Sequence, residues 1–230
     1  MTEPPELSDI ERTIHNNGER LIPGVTHDPA ELARHRSSYV FFRRVIKRDS
    51  FSAATVVDLG CGVGHGCVTL ADLPNVEVMG VDVSEESIEY ARKHFARPNI
   101  EYRVSDLRTF LEDSSMSFDY AVSRNALEHV PNGIELAVRA KWRARLLFDV
   151  PYDEAPGVNE HHVLHRITEK ELLAIEGAEV AYQDLSGAIH RDKPHRPNVV
   201  VCVVSRDGYA PVGPRLAFPI SPWHPVGGNG

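Results

Sequence analysis

The sequence predicts a doubly wound, mostly parallel α/β sheet of seven strands, with an antiparallel C-terminal strand and helices on both faces. Three observations carry that prediction. Short apolar runs rich in β-branched residues alternate with amphipathic stretches between residues 54 and 150, the pattern of successive strand–helix–strand units. The first run, Val56-Val57-Asp58-Leu59, leads straight into Gly60-Cys61-Gly62-Val63-Gly64-His65-Gly66. That is a glycine turn between a buried strand and a helix N-terminus, where backbone can approach a ligand closely. Finally, acids stand at or just after three successive strand ends, Asp58, Asp82 and Asp106. Open α/β sheets bind ligands beyond the carboxyl ends of their strands, so all three should line one crevice.

Taken in order, residues 1–27 are polar and read as an irregular N-terminal segment, a candidate lid. Within them Gly18-Glu19-Arg20-Leu21-Ile22-Pro23 stands out. Asp28-Pro29 reads as an N-cap and first helical position. The helix it opens runs to about residue 47, with Leu32, Tyr39, Val40, Phe42, Val45 and Ile46 apolar and a solvated face of Arg34, Arg36, Arg43, Arg44 and Lys47. The first strand lies near 55–58, and the helix after the glycine turn spans 65–71 and ends by Leu73-Pro74. Residues 76–82 form a second strand ending in an acid. Ser84 caps the next helix, with Glu85 and Glu86 in its first turn, and that helix stops near 95, before Arg97-Pro98. Further strands follow at 100–104, 118–123 and 145–150, with a helix over 132–138. The polar stretch from Pro151 to His165 suits an active-site loop. Thr168-Glu169-Lys170-Glu171 is a capping box. Residues 179–185 and 198–205 read as an antiparallel pair, because the linker between them is too short and polar for a crossover helix. Residues 28–207 thus form one domain, and 208–230 a Pro/Gly-rich tail, loose or draped on the surface.

Composition narrows the classes. The 230 residues suffice for one large domain, and 42% hydrophobic with 25% charged content is that of a soluble globular protein. A net charge of −8 argues against a general nucleic-acid binder. Cys61, Cys67 and Cys202 are odd in number and lack metal spacing, which points to a reduced, cytoplasmic setting. The N-terminus shows neither signal nor transit pattern, and no run reaches the roughly 18 apolar residues of a membrane helix. Oligomeric state is left open.

Details of the glycine turn discriminate among nucleotide cradles. A dinucleotide fingerprint needs G-x-G-x-x-G, but the third glycine would fall on His65 or Cys67. No Gly-Lys-Ser/Thr follows, so a Walker loop fails too. What remains is Asp-x-Gly-x-Gly-x-Gly. An acid there repels a pyrophosphate and suits a phosphate-free ligand bearing an ammonium group, as S-adenosylmethionine does. On these residues the sequence resembles the class I S-adenosylmethionine-dependent methyltransferases, which implies a Rossmann-like fold. By that resemblance, Asp58 with Gly60, Cys61, Gly62 and Gly64 holds the methionine end. Asp82, followed by Val83, takes the ribose hydroxyls. Asp106 takes the adenine amino group with Leu107 against the ring, and Arg124 completes the wall. Tyr39 either closes over the site or packs in the core.

The likeness is greatest to a bacterial branch that modifies sugars and glycan precursors. Its motifs stand here as Gly18-Glu19-Arg20-Leu21-Ile22-Pro23, Arg34-His35-Arg36-Ser37-Ser38-Tyr39, Glu128-His129 and Asn159-Glu160-His161-His162. One departure is Ala140-Lys141-Trp142-Arg143-Ala144, which replaces a Leu-x-Pro-Gly-Gly turn before the fifth strand. The resemblance implies methyl transfer to a small-molecule or glycan acceptor, favouring a sugar hydroxyl. A hydroxyl must lose its proton, and histidine is the natural general base. His129 is the first choice, with Glu128 orienting it or binding acceptor; the alternative is the first turn of a surface helix. His162 is the second choice, against a solvated loop histidine. His161 and His165, four apart, share a face if helical, and with Asp153 and Glu154 a divalent metal is conceivable. No zinc spacing is met, so no metal is assigned. Rival readings are N-methylation of a small amine or amino sugar, a non-catalytic S-adenosylmethionine-binding module, and a nicotinamide-binding fold.

Overall fold

The computed structural model describes residues 8–16, 21–23, 29–49, 53–113, 115–207, 209 and 216–221. In chain order the elements are α1 (Asp9–Asn16), α2 (Pro29–Arg48), β1 (Ala54–Leu59), α3 (His65–Ala71), β2 (Val76–Asp82), α4 (Glu85–His94), β3 (Ile100–Val104), α5 (Leu107–Glu112), β4 (Phe118–Arg124), α6 (Gly133–Arg139), β5 (Trp142–Pro151), α7 (Glu169–Leu172), β6 (Ala178–Asp184), β7 (Ile189–His190) and β8 (Pro197–Ser205). A 3-10 turn over Leu127–His129 follows β4.

The strands form one sheet in the order β3-β2-β1-β4-β5-β8-β6-β7. The first five are parallel, and β8 runs antiparallel between β5 and β6. The chain leaves β1 toward β2 and β3, then crosses back to lay β4 on the other side of β1. The strand order therefore reverses between β1 and β4, and a crevice opens at that switch point. Both faces are covered, which is why the central strands are apolar throughout rather than alternating. Val56 packs on one face with Tyr39, Phe42 and Val45 of α2 and Leu70 of α3. Val57 and Leu59 pack on the other with Leu107 and Phe110 of α5, Ala137 of α6 and Leu172 of α7.

The expected antiparallel pair is β6 and β8, and the capping box at Thr168 and Glu171 is present. Ser84 caps α4, accepting from Ser87 N at 3.1 Å. The strand beyond the expected seven is β7, two residues paired with β6 and too short to leave a periodicity. Residues 1–27 are not irregular throughout. Ser8 and Glu11 cap α1 reciprocally, Ser8 N donating to Glu11 Oε2 at 2.9 Å and Glu11 N to Ser8 Oγ at 3.4 Å. Ile14 and Ile22 then pack with Val63 of the glycine turn. The described part of the tail is pinned, since Ile220 is buried and exchanges both backbone hydrogen bonds with Ile189. The unusual turn before β5 resolves into packing: Trp142 is buried, its indole N–H donates to Ala137 O at 2.9 Å, and Arg206 lies over its ring. Gly18, Glu19, Arg20 and the Asp28 cap lie outside the described residues.

Candidate active site

The turn after β1 is set by two glycines. Gly60 has φ +76°, and a Cβ on it would lie 2.2 Å from Ala126 Cβ. Gly64 has φ +84° and starts α3, where a Cβ would lie 2.7 Å from the Tyr102 ring. Both need the left-handed region and bare backbone, which glycine alone supplies without strain. The turn is tied to β2: Gly60 N and Cys61 N donate to Val81 O at 2.8 and 3.0 Å. Asp82 closes it, accepting from Gly62 N and from Ser84 N, each at 2.9 Å.

This turn forms the near wall of a cavity of about 640 Å³ at the switch point. Gly60, Cys61, Gly62, Asp82, Val83, Asp106, Leu107 and Arg124, all singled out from sequence, line it. Asp106 also caps α5 through Thr109 N at 3.0 Å. Leu107 is buried beside it, while Val83 is 60% exposed.

Asp58 and Tyr39 are placed elsewhere, beneath the wall rather than in it. Neither is among the lining residues. Asp58 is fully buried, accepting from the Tyr39 hydroxyl at 3.2 Å and the Cys67 thiol at 3.3 Å. Burial pushes its carboxyl up to about 7. The Tyr39 ring fills the space over Gly66, where a Cβ would sit 2.0 Å from its Cζ. The acid of β1 is thus a core hydrogen-bonding group: by alternation Asp58 shares the face of Val56, and α2 and α3 cover that face.

The far wall comes from the turn after β4 and the loop after β5. The Glu128 carbonyl clamps the two segments, accepting from Val163 N at 2.9 Å and Leu164 N at 3.1 Å. His162, carried on that loop, is 7% exposed. Its Nδ1 lies 2.5 Å from Glu154 Oε2, and Asn159 Nδ2 lies 3.1 Å from its Nε2. His129 sits edge-on to it at 4.7 Å between ring centroids, with its own Nδ1 3.1 Å from the carbonyl of His161. His129, His162 and Glu154 line the cavity. Glu128 is fully buried, and neither carboxyl oxygen has a hydrogen-bond partner. Burial, helped by the charges of Asp149 and Glu154, holds this carboxyl well above the ordinary carboxylate range.

His161 and His165 do not share a helix face, because the loop is not helical, and His161 is exposed. The donors that do converge are Glu128, His129 and His162, whose ligand atoms all lie within 4.8 Å of one another. The cavity residues not singled out for the site from sequence include Glu31, His35 and His65. His35 Nδ1 and His65 Nε2 lie 2.9 Å apart. The Arg34-His35 motif was the available signal; its meeting with His65 depends on how α2 packs across α3.

Residues 56–146 match the family described as Methyltransferase domain. The Ubiquinone biosynthesis O-methyltransferase of Bartonella quintana is 29% identical over 167 residues, covering 71% of this chain and 63% of that protein. Phosphoethanolamine N-methyltransferase 2 of Caenorhabditis elegans is 33% identical over 102 residues, covering 42% of this chain but only 23% of that protein. The chain therefore spans less than two thirds of the length of these curated relatives. Among solved structures, a TehB-like SAM-dependent methyltransferase from Corynebacterium glutamicum superposes with a TM-score of 0.52 at 20% identity, covering 85% of this chain and 94% of that one. That likeness shows a shared Rossmann-like fold. Among the described residues no helix is long and apolar enough to cross a membrane. Residues 56–146 are therefore similar to a methyltransferase domain, carried on a Rossmann-like fold.

Proposed function

We propose that the protein transfers a methyl group from S-adenosylmethionine to an oxygen of a small polar acceptor. One observation carries this reading: a single cavity is lined both by the glycine turn with Asp82 and by His129, His162 and Glu154. The near wall fits the cofactor. A side chain at Gly60 would collide with Ala126, so bare backbone is presented there, and Asp82 and Asp106 offer carboxylates at the strand ends. In this assignment Asp82 receives the ribose hydroxyls, Asp106 the adenine amino group and Leu107 the ring face. Once bound, the cofactor supplies a methyl group on a positively charged sulfonium.

The chain's task is then to hold acceptor oxygen, methyl carbon and sulfur in line and to exclude water. An oxygen acceptor must also lose a proton, and its removal is assigned to the Glu128–His129–His162 cluster. Both Nδ1 atoms face acceptors, a carbonyl for His129 and a carboxylate for His162. In the neutral form the lone pair of each ring then lies on Nε2, which in His162 accepts from Asn159 Nδ2 at 3.1 Å. A sugar hydroxyl is the favoured acceptor, supported by the Glu128-His129 and Asn159-x-x-His162 motifs. The relatives named above include both an O- and an N-methyltransferase, so the acceptor atom needs a direct test. The three buried thiols suit a reducing, cytoplasmic compartment.

Methyl-labelled S-adenosylmethionine, incubated with panels of sugars, phenols, carboxylic acids and amines, should label a hydroxylated acceptor. His129→Ala should lower that transfer by about 100-fold or more while leaving S-adenosylhomocysteine affinity within a few-fold. Transfer only to amines, undiminished in His129→Ala, would assign N-methylation. Tight S-adenosylhomocysteine binding with no turnover on any panel would make the protein a binding module.

A further inference from the structure

A fully buried carboxyl with neither oxygen hydrogen-bonded is costly unless it stays neutral or meets a positive charge. Glu128 is such a group. Its Oε1 lies 3.9 Å from His162 Nε2, and its ligand atoms, with those of His129 and His162, fit within 4.8 Å. Both rings are already oriented through Nδ1, His129 by the His161 carbonyl and His162 by Glu154, and an ion at His162 Nε2 would displace the Asn159 amide that lies 3.1 Å from it. Metal-bound imidazoles are held in this way, with the non-ligating N–H fixed by a carbonyl or carboxylate.

We propose that Glu128, His129 and His162 bind one divalent first-row transition-metal ion, whose remaining positions open into the cavity. Ligands about 2.1 Å from one tetrahedral ion lie about 3.4 Å apart. Two imidazoles with one carboxylate favour manganese, iron, cobalt or zinc over magnesium and calcium, which prefer oxygen donors throughout. Three protein ligands leave open coordination, the arrangement of catalytic rather than structural sites. His129 and His162 both line the cavity, so those open positions face whatever fills its acceptor end. This deepens the proposed function, with the ion taking over proton removal from the free Nε2 lone pairs, and rests on it only for the identity of that occupant. A hydroxyl oxygen held on the ion gives up its proton to water far more readily than in solution.

The test is Mn²⁺ titration of the full chain, followed by loss of the free-ion EPR signal and by calorimetry, with Zn²⁺ as competitor. Wild type is compared with Glu128→Gln, which keeps the buried volume, and with His129→Ala, which is only half-buried. Circular dichroism confirms folding, and a thermal shift with S-adenosylhomocysteine is run on each protein. One ion should bind per chain, weakening by about 100-fold in both variants, while the S-adenosylhomocysteine shift persists. EDTA should abolish methyl transfer, and Mn²⁺ should restore it. No saturable binding, or equal affinity in Glu128→Gln, would overturn the site and leave Glu128 a buried neutral acid. A retained nucleotide shift in that case keeps the methyltransferase reading alive. Ion binding without any nucleotide shift would do the reverse, keeping the site and sinking the reading.

Discussion

The two walls of the cavity are built in opposite ways. The near wall is mostly backbone, drawn from one unbroken stretch, residues 60–63, plus the ends of β2 and β3. Its one buried charge, Asp82, accepts hydrogen bonds from two amides. The far wall is side chain, drawn from residues 128–129 and 154–162 and joined through the Glu128 carbonyl and the contact of His129 Nδ1 with the His161 carbonyl. The buried carboxyl of Glu128 has no hydrogen bond to either oxygen. Satisfied polar groups rigidify a site, whereas an unsatisfied one raises the free energy of the folded state until something binds it. The near wall thus has the character of a preformed seat, and the far wall that of a place where a ligand or a proton completes the structure.

The largest effect should come from breaking the seat. Gly60→Val puts a branched side chain at φ +76° against Ala126. It should cost about 3–5 kcal/mol in urea unfolding and remove the thermal shift with S-adenosylhomocysteine. A variant that still bound the nucleotide normally would show that the near wall is not made by backbone approach.

A finer cut separates the two acids of the seat. Asp82→Ala should weaken S-adenosylhomocysteine by more than about tenfold, from lost charge-assisted hydrogen bonds. Asp58→Asn should leave the affinity within about threefold, since Asp58 is not in the wall. An equal loss in both would restore Asp58 to the ligand. Asp58→Asn should act on stability instead. The folded carboxyl holds its proton up to about 7 against an ordinary value of 3.8. Between those pH values the folded state binds more protons than the unfolded one, so this group's contribution falls as pH rises. The full penalty, about 4 kcal/mol, is reached above pH 7. The stability of Asp58→Asn relative to wild type should therefore grow by that order from pH 4 to pH 8. A difference constant across the range would contradict the buried protonated acid.

The smallest effect should be Tyr39→Phe. It removes one buried hydroxyl donor from Asp58 and keeps the ring over Gly66. A loss of about 1 kcal/mol in stability with unchanged nucleotide affinity is expected. A clear loss of affinity would mean that the ring reaches the cofactor after all.

Local pattern determined much of this protein. Strand bounds such as Val76–Asp82 and Ile100–Val104, the capping box at Thr168 and the glycine turn follow from hydrophobic period and from residues a few positions apart. The Ser8-x-x-Glu11 cap was legible by the same rule and would have placed α1. Asp82 and Asp106 could be assigned to one crevice because strand direction and the switch point follow from the order of elements alone.

Only the tertiary structure decided which way Asp58 faces, since that depends on which helices cover the Val56 face of β1. It alone buried His162, a residue that sequence could equally read as solvated, and set it against Glu154 and Glu128. It alone moved the convergent donors from His161 and His165 to Glu128, His129 and His162. The physical reason is range. Propensity, capping and alternation act over a few residues, whereas the far wall joins groups more than thirty positions apart, through a loop whose path is set by backbone hydrogen bonds that no local pattern encodes.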